Sequence, residues 1–179
     1  EILRQIRLTA FLNREKPDYS PESRRRAADR LVEQALIRRE MAAAPGAQGQ
    51  KTEIAPEVLA ILRNRYPTDA AYRRALAEYR LSDEDVKRHL EWQTRLLRFV
   101  DVRFRPGVQI NETEIREYYE NVFVTEWRGR NKGAPPSFDD VRAQIENDML
   151  SERANSALDR WLGQTRTQTR IRYRRVVFQ

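Results

Sequence analysis

Apolar residues along the chain recur mostly at spacings of three and four, and the runs are separated by residues that cap or break helices. Ile2, Ile6, Leu8, Phe11 and Leu12 predict a first helix over 1–15, which Pro17 ends because the residue before a proline avoids the α region. Ser20 is placed to cap a second helix with Pro21 in its first turn, and Ala28, Leu31, Val32, Ala35 and Leu36 mark its inner face as far as about Ala44. Pro45 to Gln50 read as a loop, since glycine and proline break the pattern there. A short helix follows from Pro56 to Arg65 with Val58, Leu59 and Leu62 inward, and Thr68 caps another in which Tyr72, Leu76 and Tyr79 share a face.

Ser82 to Asp85 resemble a capping box opening a long helix from Asp83 to about Arg103. Its inner face is predicted to carry Val86, Leu90, Leu97 and Val100, widened by Trp92, Leu96, Phe99 and Phe104, until Arg105-Pro106-Gly107 stops it. Asn111 with Glu114 starts a helix over 112–119, and Ser137 with Asp140 starts the longest, from Phe138 to about Gly163, ~40 Å in length. In the tail the period changes. Charged and apolar residues alternate from Arg170 to Arg174 and lead into Val176-Val177-Phe178, which predicts a half-buried strand. A lone strand leaves its backbone groups unpaired, so a partner is expected either in Asn121–Trp127 or upstream of Glu1. The expected fold is mainly α: a multi-helix module with long helices and a small terminal β element.

Charge sharpens this picture. The chain of 179 residues has 34 basic and 27 acidic residues, but six arginines and no acid lie between Arg160 and Gln179, which leaves residues 1–159 with 28 basic against 27 acidic groups. The basic excess therefore belongs to the tail. With 40% hydrophobic residues the chain can build a core, and no apolar run reaches the roughly 18–20 residues of a membrane helix. No basic and apolar leader precedes the first helical pattern, so an export signal is expected to have been removed or never present.

Few residues offer chemistry. The absence of cysteine excludes disulfides, thiol nucleophiles and Cys-type zinc sites, and a single histidine, His89, excludes multi-histidine metal centres. His89 with Asp85 four residues earlier reads as a surface helix pair, and Glu112, Glu114, Glu117 and Glu120 with Arg116 as a solvated helix face. No phosphate-binding or hydrolase motif occurs, so no catalytic residue, cofactor or metal is expected. Arg24-Arg25-Arg26 and the arginine tail could contact phosphates, but Asp29 and Glu33 stand ready to pair with the first group and no aromatic platform accompanies either. Tyr118, Tyr119, Phe123 and Trp127 cluster between two helices, either as core or as an apolar surface that holds other chains.

Three blocks in order resemble the N-terminal chaperone module of SurA-type periplasmic folding factors (SurA, PpiD and PrsA). They are the helix Ala27–Met41, the stretch from Leu81 to Glu120 ending in Val108-Gln109-Ile110, a cap and the Tyr118-Tyr119 pair, and the stretch from Phe138 to Tyr173. The resemblance implies one chaperone domain over 1–179: an N-terminal helical region over residues 1–120, a connector over 121–136, and a closing helix and strand over 137–179. In the family a parvulin-type prolyl isomerase domain is inserted at the connector, whereas 16 residues stand there, against the roughly 50 a domain needs. Family members also open with a short strand that pairs with the closing one, where Glu1 already starts a helix.

The function so implied is ATP-independent binding of unfolded exported or outer-membrane polypeptides in the periplasm or cell envelope, without isomerase activity. Trp92, Phe99, Tyr118, Tyr119, Phe123 and Trp127 are the expected client-binding residues. Exchange of a strand or helix between two copies would be a low-cost route to a homodimer. Two other readings stay open: a basic nucleic-acid-binding helical protein and an oligomeric scaffold.

Overall fold

The computed structural model describes residues 1–43 and 56–173, and among these every regular element is helical. Eight α-helices run in the order α1 Ile2–Asn13, α2 Pro21–Ala43, α3 Pro56–Arg63, α4 Asp69–Glu78, α5 Asp83–Arg103, α6 Glu112–Tyr118, α7 Val124–Arg130 and α8 Phe138–Gln168. A π turn, Tyr119–Phe123, joins α6 to α7, and a 3₁₀ turn, Arg105–Gly107, follows α5. The chain divides into two compact units: Glu1–Leu97 with the segment from Gln164 onward, and Arg98–Gly163.

In the first unit, Leu8 and Phe11 of α1, Leu62 of α3, Tyr72 and Leu76 of α4, Leu81, and Val86 of α5 form a buried cluster. Phe11 is at its centre, stacked on Tyr66 at 6.1 Å and edge-on to Tyr79 at 5.6 Å. Helix α1 packs against α2, where Ala10, Ala27 and Ala28 are buried. The capping signals act as expected. The Ser23 amide donates to Ser20 Oγ at 3.2 Å, the Ala71 amide to Thr68 Oγ1 at 3.1 Å, and Ser82 and Asp85 exchange reciprocal bonds of 2.9 and 3.1 Å. Helices α1 and α4 both end on a left-handed arginine, Arg14 at φ 59° and Arg80 at φ 50°. The Glu15 amide donates to the Ala10 carbonyl and the Leu81 amide to the Leu76 carbonyl, both at 2.9 Å, so each end is a Schellman closure without the usual glycine. Helix α1 therefore stops at Asn13, before Pro17 acts.

In the second unit, Ile115 of α6 packs with Val141, Ile145 and Met149 of α8. Phe99, Phe104 and Trp161 form a triangle with centroids 5.6–6.2 Å apart. Polar contacts tie α6 to α8: Arg142 donates to Glu112 at 2.7 and 2.9 Å, and Arg153 bonds both Glu114 and, at 2.7 Å, the Gln109 carbonyl. Asn111 and Glu114 complete the predicted capping box on α6.

Several expectations change. Asn121–Trp127, the internal candidate for a partner strand, is helical throughout. Its Asn121 side chain donates to the Glu117 carbonyl at 2.9 Å and Thr125 Oγ1 to the Asn121 carbonyl at 3.3 Å, bonds between residues four apart that only a helix brings together. Leu97 is 66% exposed rather than inward, and Ala35 is exposed while its neighbour Ile37 is buried. Val58, also expected inward, is 39% exposed. Helix α8 continues past Gly163 to Gln168; an interior glycine costs about 1 kcal/mol against alanine without forcing a stop, and Arg166 in the final turn is anchored on Asp29 and Glu33 of α2. Of the expected closing strand, residues 170–173 belong to no helix or strand and 174–179 lie outside the described residues. The expected loop 45–50 also lies outside them.

Candidate functional site

Tyr119, Phe123 and Trp127 recur every fourth residue, and the helical path through the π turn sets them in one row. Tyr119 stacks on Phe123 at 5.7 Å and 19°, and Phe123 on Trp127 at 6.0 Å and 26°. The π turn is closed by the Val124 amide, which donates to the Tyr119 carbonyl five residues back. The widened turn disturbs the i→i−4 ladder, and π turns of this kind are frequent at functional sites.

The start of the row is fixed to the rest of its unit. The Tyr119 hydroxyl donates to the Pro136 carbonyl at 2.8 Å, and the Tyr119 ring meets Phe138 edge-on at 5.5 Å. Arg116 lies over the Phe138 ring at 4.3 Å, a cation–π contact that covers this end. All three row residues are half-buried, and Tyr119 and Phe123 also pack against the Ile115–Ile145 cluster. At the other end the Trp127 indole N–H is buried and has no acceptor among the described residues, a condition that costs about 1–3 kcal/mol.

The other residues expected at the site have no ring contact with this row among the contacts of their own units. Tyr118 is half-buried against the Ile115–Ile145 cluster, and burial, helped by the charges of Glu126, Glu152 and Asp148, pushes its phenol up. Phe99 is half-buried in the triangle with Phe104 and Trp161, an internal contact of the second unit. Trp92 belongs to the first unit, where it is 8% exposed and covered by the Arg38 guanidinium at 4.6 Å. Phe138, Arg116 and Pro136 were missed from the sequence. The spacing of four from Tyr119 to Trp127 was readable there, whereas no sequence signal announces a π turn.

His89 does not pair with Asp85 as a surface couple. Asp85 is engaged by Ser82, Arg88 and Arg4. The imidazole is half-buried, its Nε2 finds no partner among the described residues, and burial pushes its pKa below the ordinary range. Of the arginines near the start of α2, Arg26 pairs with Glu22 at 3.2 Å, while Asp29 and Glu33 are both taken by Arg166. Among the described residues no group of three or more metal-ligating side chains converges, and no helix is long and apolar enough to cross a membrane. Comparison with protein-family models, curated proteins and solved structures finds no match to this chain.

Proposed function

We propose that this chain is an ATP-independent holding chaperone of the SurA type without an isomerase domain, which shields apolar side chains of unfolded exported polypeptides in the cell envelope. The observation that carries this reading is the stacked row of Tyr119, Phe123 and Trp127, half-buried on a helix interrupted by a π turn. Aromatic rings supply large contact area at little cost in side-chain entropy, and a flat stack accepts varied apolar partners. Charged residues flank the row, Glu126 paired with Arg130 at 3.2 Å among them, and form the polar rim that keeps a complex in solution.

In this reading the segment 170–178 forms the closing β element, paired with a strand from outside the described residues or from a second copy. The test is suppression of aggregation of a chemically unfolded, aromatic-rich outer-membrane polypeptide by the purified protein in the absence of nucleotide. Suppression at near-stoichiometric ratios is expected, with Phe123→Ala plus Trp127→Ala reducing it several-fold while the protein stays folded. No suppression by the folded wild-type protein would overturn the reading.

A further inference from the structure

A cleft of about 120 Å³ in the first unit has the composition of an anion site. Arg4 of α1, Arg38 of α2 and Arg88 of α5 line it with the amides of Gln5 and Gln34, and Leu8, Leu31 and Trp92 give it an apolar lining. Arg38 lies flat over Trp92 at 4.6 Å and forms no ion pair with a carboxylate among the described residues; its one hydrogen bond to a side chain goes to Gln34 at 3.4 Å. A stacked guanidinium keeps its N–H edge free for a bidentate acceptor. His89 also lines the cleft, with its buried Nε2 unpartnered among the described residues.

The cleft already contains carboxylates. Asp85 accepts from Arg88 at 2.8 Å and sits 3.5 Å from Arg4, and Glu1 lies 3.9 Å from Arg4. Burial works against the Asp85 charge, but bonds from the Ser82 amide and hydroxyl, with Arg88 and Arg4, hold its carboxyl below the usual range. Three guanidiniums therefore face two carboxylates beside a neutral imidazole, an excess of one positive charge. A dianion such as phosphate would meet Asp85 at close range, whereas a single negative charge balances the cleft. The geometry points to a site for a monoanionic carboxylate carried on a short aliphatic group, held by the free edge of Arg38, with the aliphatic group against Leu8, Leu31 and Trp92. Its source is either a small organic acid or a glutamate side chain of a bound polypeptide. This assignment does not rest on the aromatic row.

The test is calorimetric titration at neutral pH with propionate, with inorganic phosphate, and with a short peptide capped at both ends that carries one glutamate, against its glutamine counterpart. Propionate is expected to bind in the millimolar range and more tightly than phosphate. Arg38→Gln should weaken it about ten-fold or more, the loss of a hydrogen bond to a charged group. Asp85→Asn should strengthen it and narrow the preference over phosphate, a gain that a misfolded variant cannot mimic. Binding of the glutamate peptide but not the glutamine peptide assigns the site to polypeptides; binding of propionate alone assigns it to small acids, and either supports the site. No propionate binding, phosphate preferred by the wild-type protein, or affinity unchanged in folded Arg38→Gln would overturn it.

Discussion

Tyr72 shows how a single side chain is fixed from several sides. Its ring is 2% exposed beneath Phe11 and Tyr66, Arg63 lies over it at 5.6 Å, and its hydroxyl donates to Asp83 Oδ1 at 2.8 Å. Burial, and then the bond to Asp83, raise its pKa from 10.0 to about 12. The folded state thus prefers the protonated phenol. That contribution is whole below the unfolded value near 10 and is lost as pH rises through about 12. Thermal melts between pH 9 and pH 12, compared with Tyr72→Phe, should show a steeper alkaline loss in the wild-type protein; parallel curves would mean that the buried phenol is not the cause. The spacing of Tyr72 from Leu76 and Tyr79 was enough to place it inward. Its partner Asp83 was read only as a charge at a helix start, because a contact between residues 11 apart depends on how α4 and α5 meet. Leu97 failed for the opposite reason. Its apolar character and spacing matched an inner face, but the side chain is 66% exposed, because periodicity shows which face is apolar and not how far along the helix that face is packed.

Helices were legible where their ends are written in side chains. The caps at Ser20, Thr68, Ser82, Asn111 and Ser137 all bond the first turn as their residue types require. The ends at Arg14 and Arg80 were not legible, because the left-handed closure there uses arginine where glycine is the signal. The strand expected over 121–127 arose from its β-branched residues Val122 and Val124, whose propensity the surrounding helical bonds override. For α6, Asn111→Ala removes the side-chain arm of the capping box, the acceptor for the Glu114 amide, and leaves the backbone N–H of residue 111 to donate to Glu114. It should cost about 1 kcal/mol by chemical denaturation, and an unchanged denaturation midpoint would mean that the start of α6 is held by other contacts. Acid acts on the same element. The bond from Arg142 holds Glu112 below the usual range, and bonds from Arg153 and then the Asn111 amide do the same for Glu114. Both contributions are present above the ordinary carboxylate value of 4.5 and are lost as pH falls through the lower folded values. A melting temperature that falls between pH 5 and pH 3 by less in Glu112→Gln plus Glu114→Gln than in the wild-type protein is the expected result.

At the scale of the whole molecule the basic excess loses some of its invitation to nucleic acid. Arg166, one of the six tail arginines, is bound to Asp29, lies 3.8 Å from Glu33 and meets the Tyr173 hydroxyl at 2.9 Å, so the segment after α8 is fastened to α2 by its own charge. Burial would push Asp29 up, but bonds from Tyr173 and Arg166 outweigh it and hold its carboxyl low. Pairs of this kind cannot be foreseen from sequence, since Asp29 and Arg166 lie 137 residues apart. The mainly helical class was legible from periodicity alone. The division into two units was not, because its boundaries fall inside α5 and α8, where the pattern is unbroken. Of the six aromatic residues expected to meet clients, the structure stacks Tyr119, Phe123 and Trp127 in one row, packs Tyr118 on the same core cluster as Tyr119 and Phe123, and gives Phe99 and Trp92 other neighbours. The most direct measurement of the proposed function is therefore photo-crosslinking to an unfolded outer-membrane polypeptide from a benzoylphenylalanine placed at Phe123, at Trp127 and, as a control, at exposed Tyr19. Strong client adducts from the first two positions and little from the third are predicted; equal yields at all three, or none from Phe123 and Trp127 in folded protein, would contradict the account.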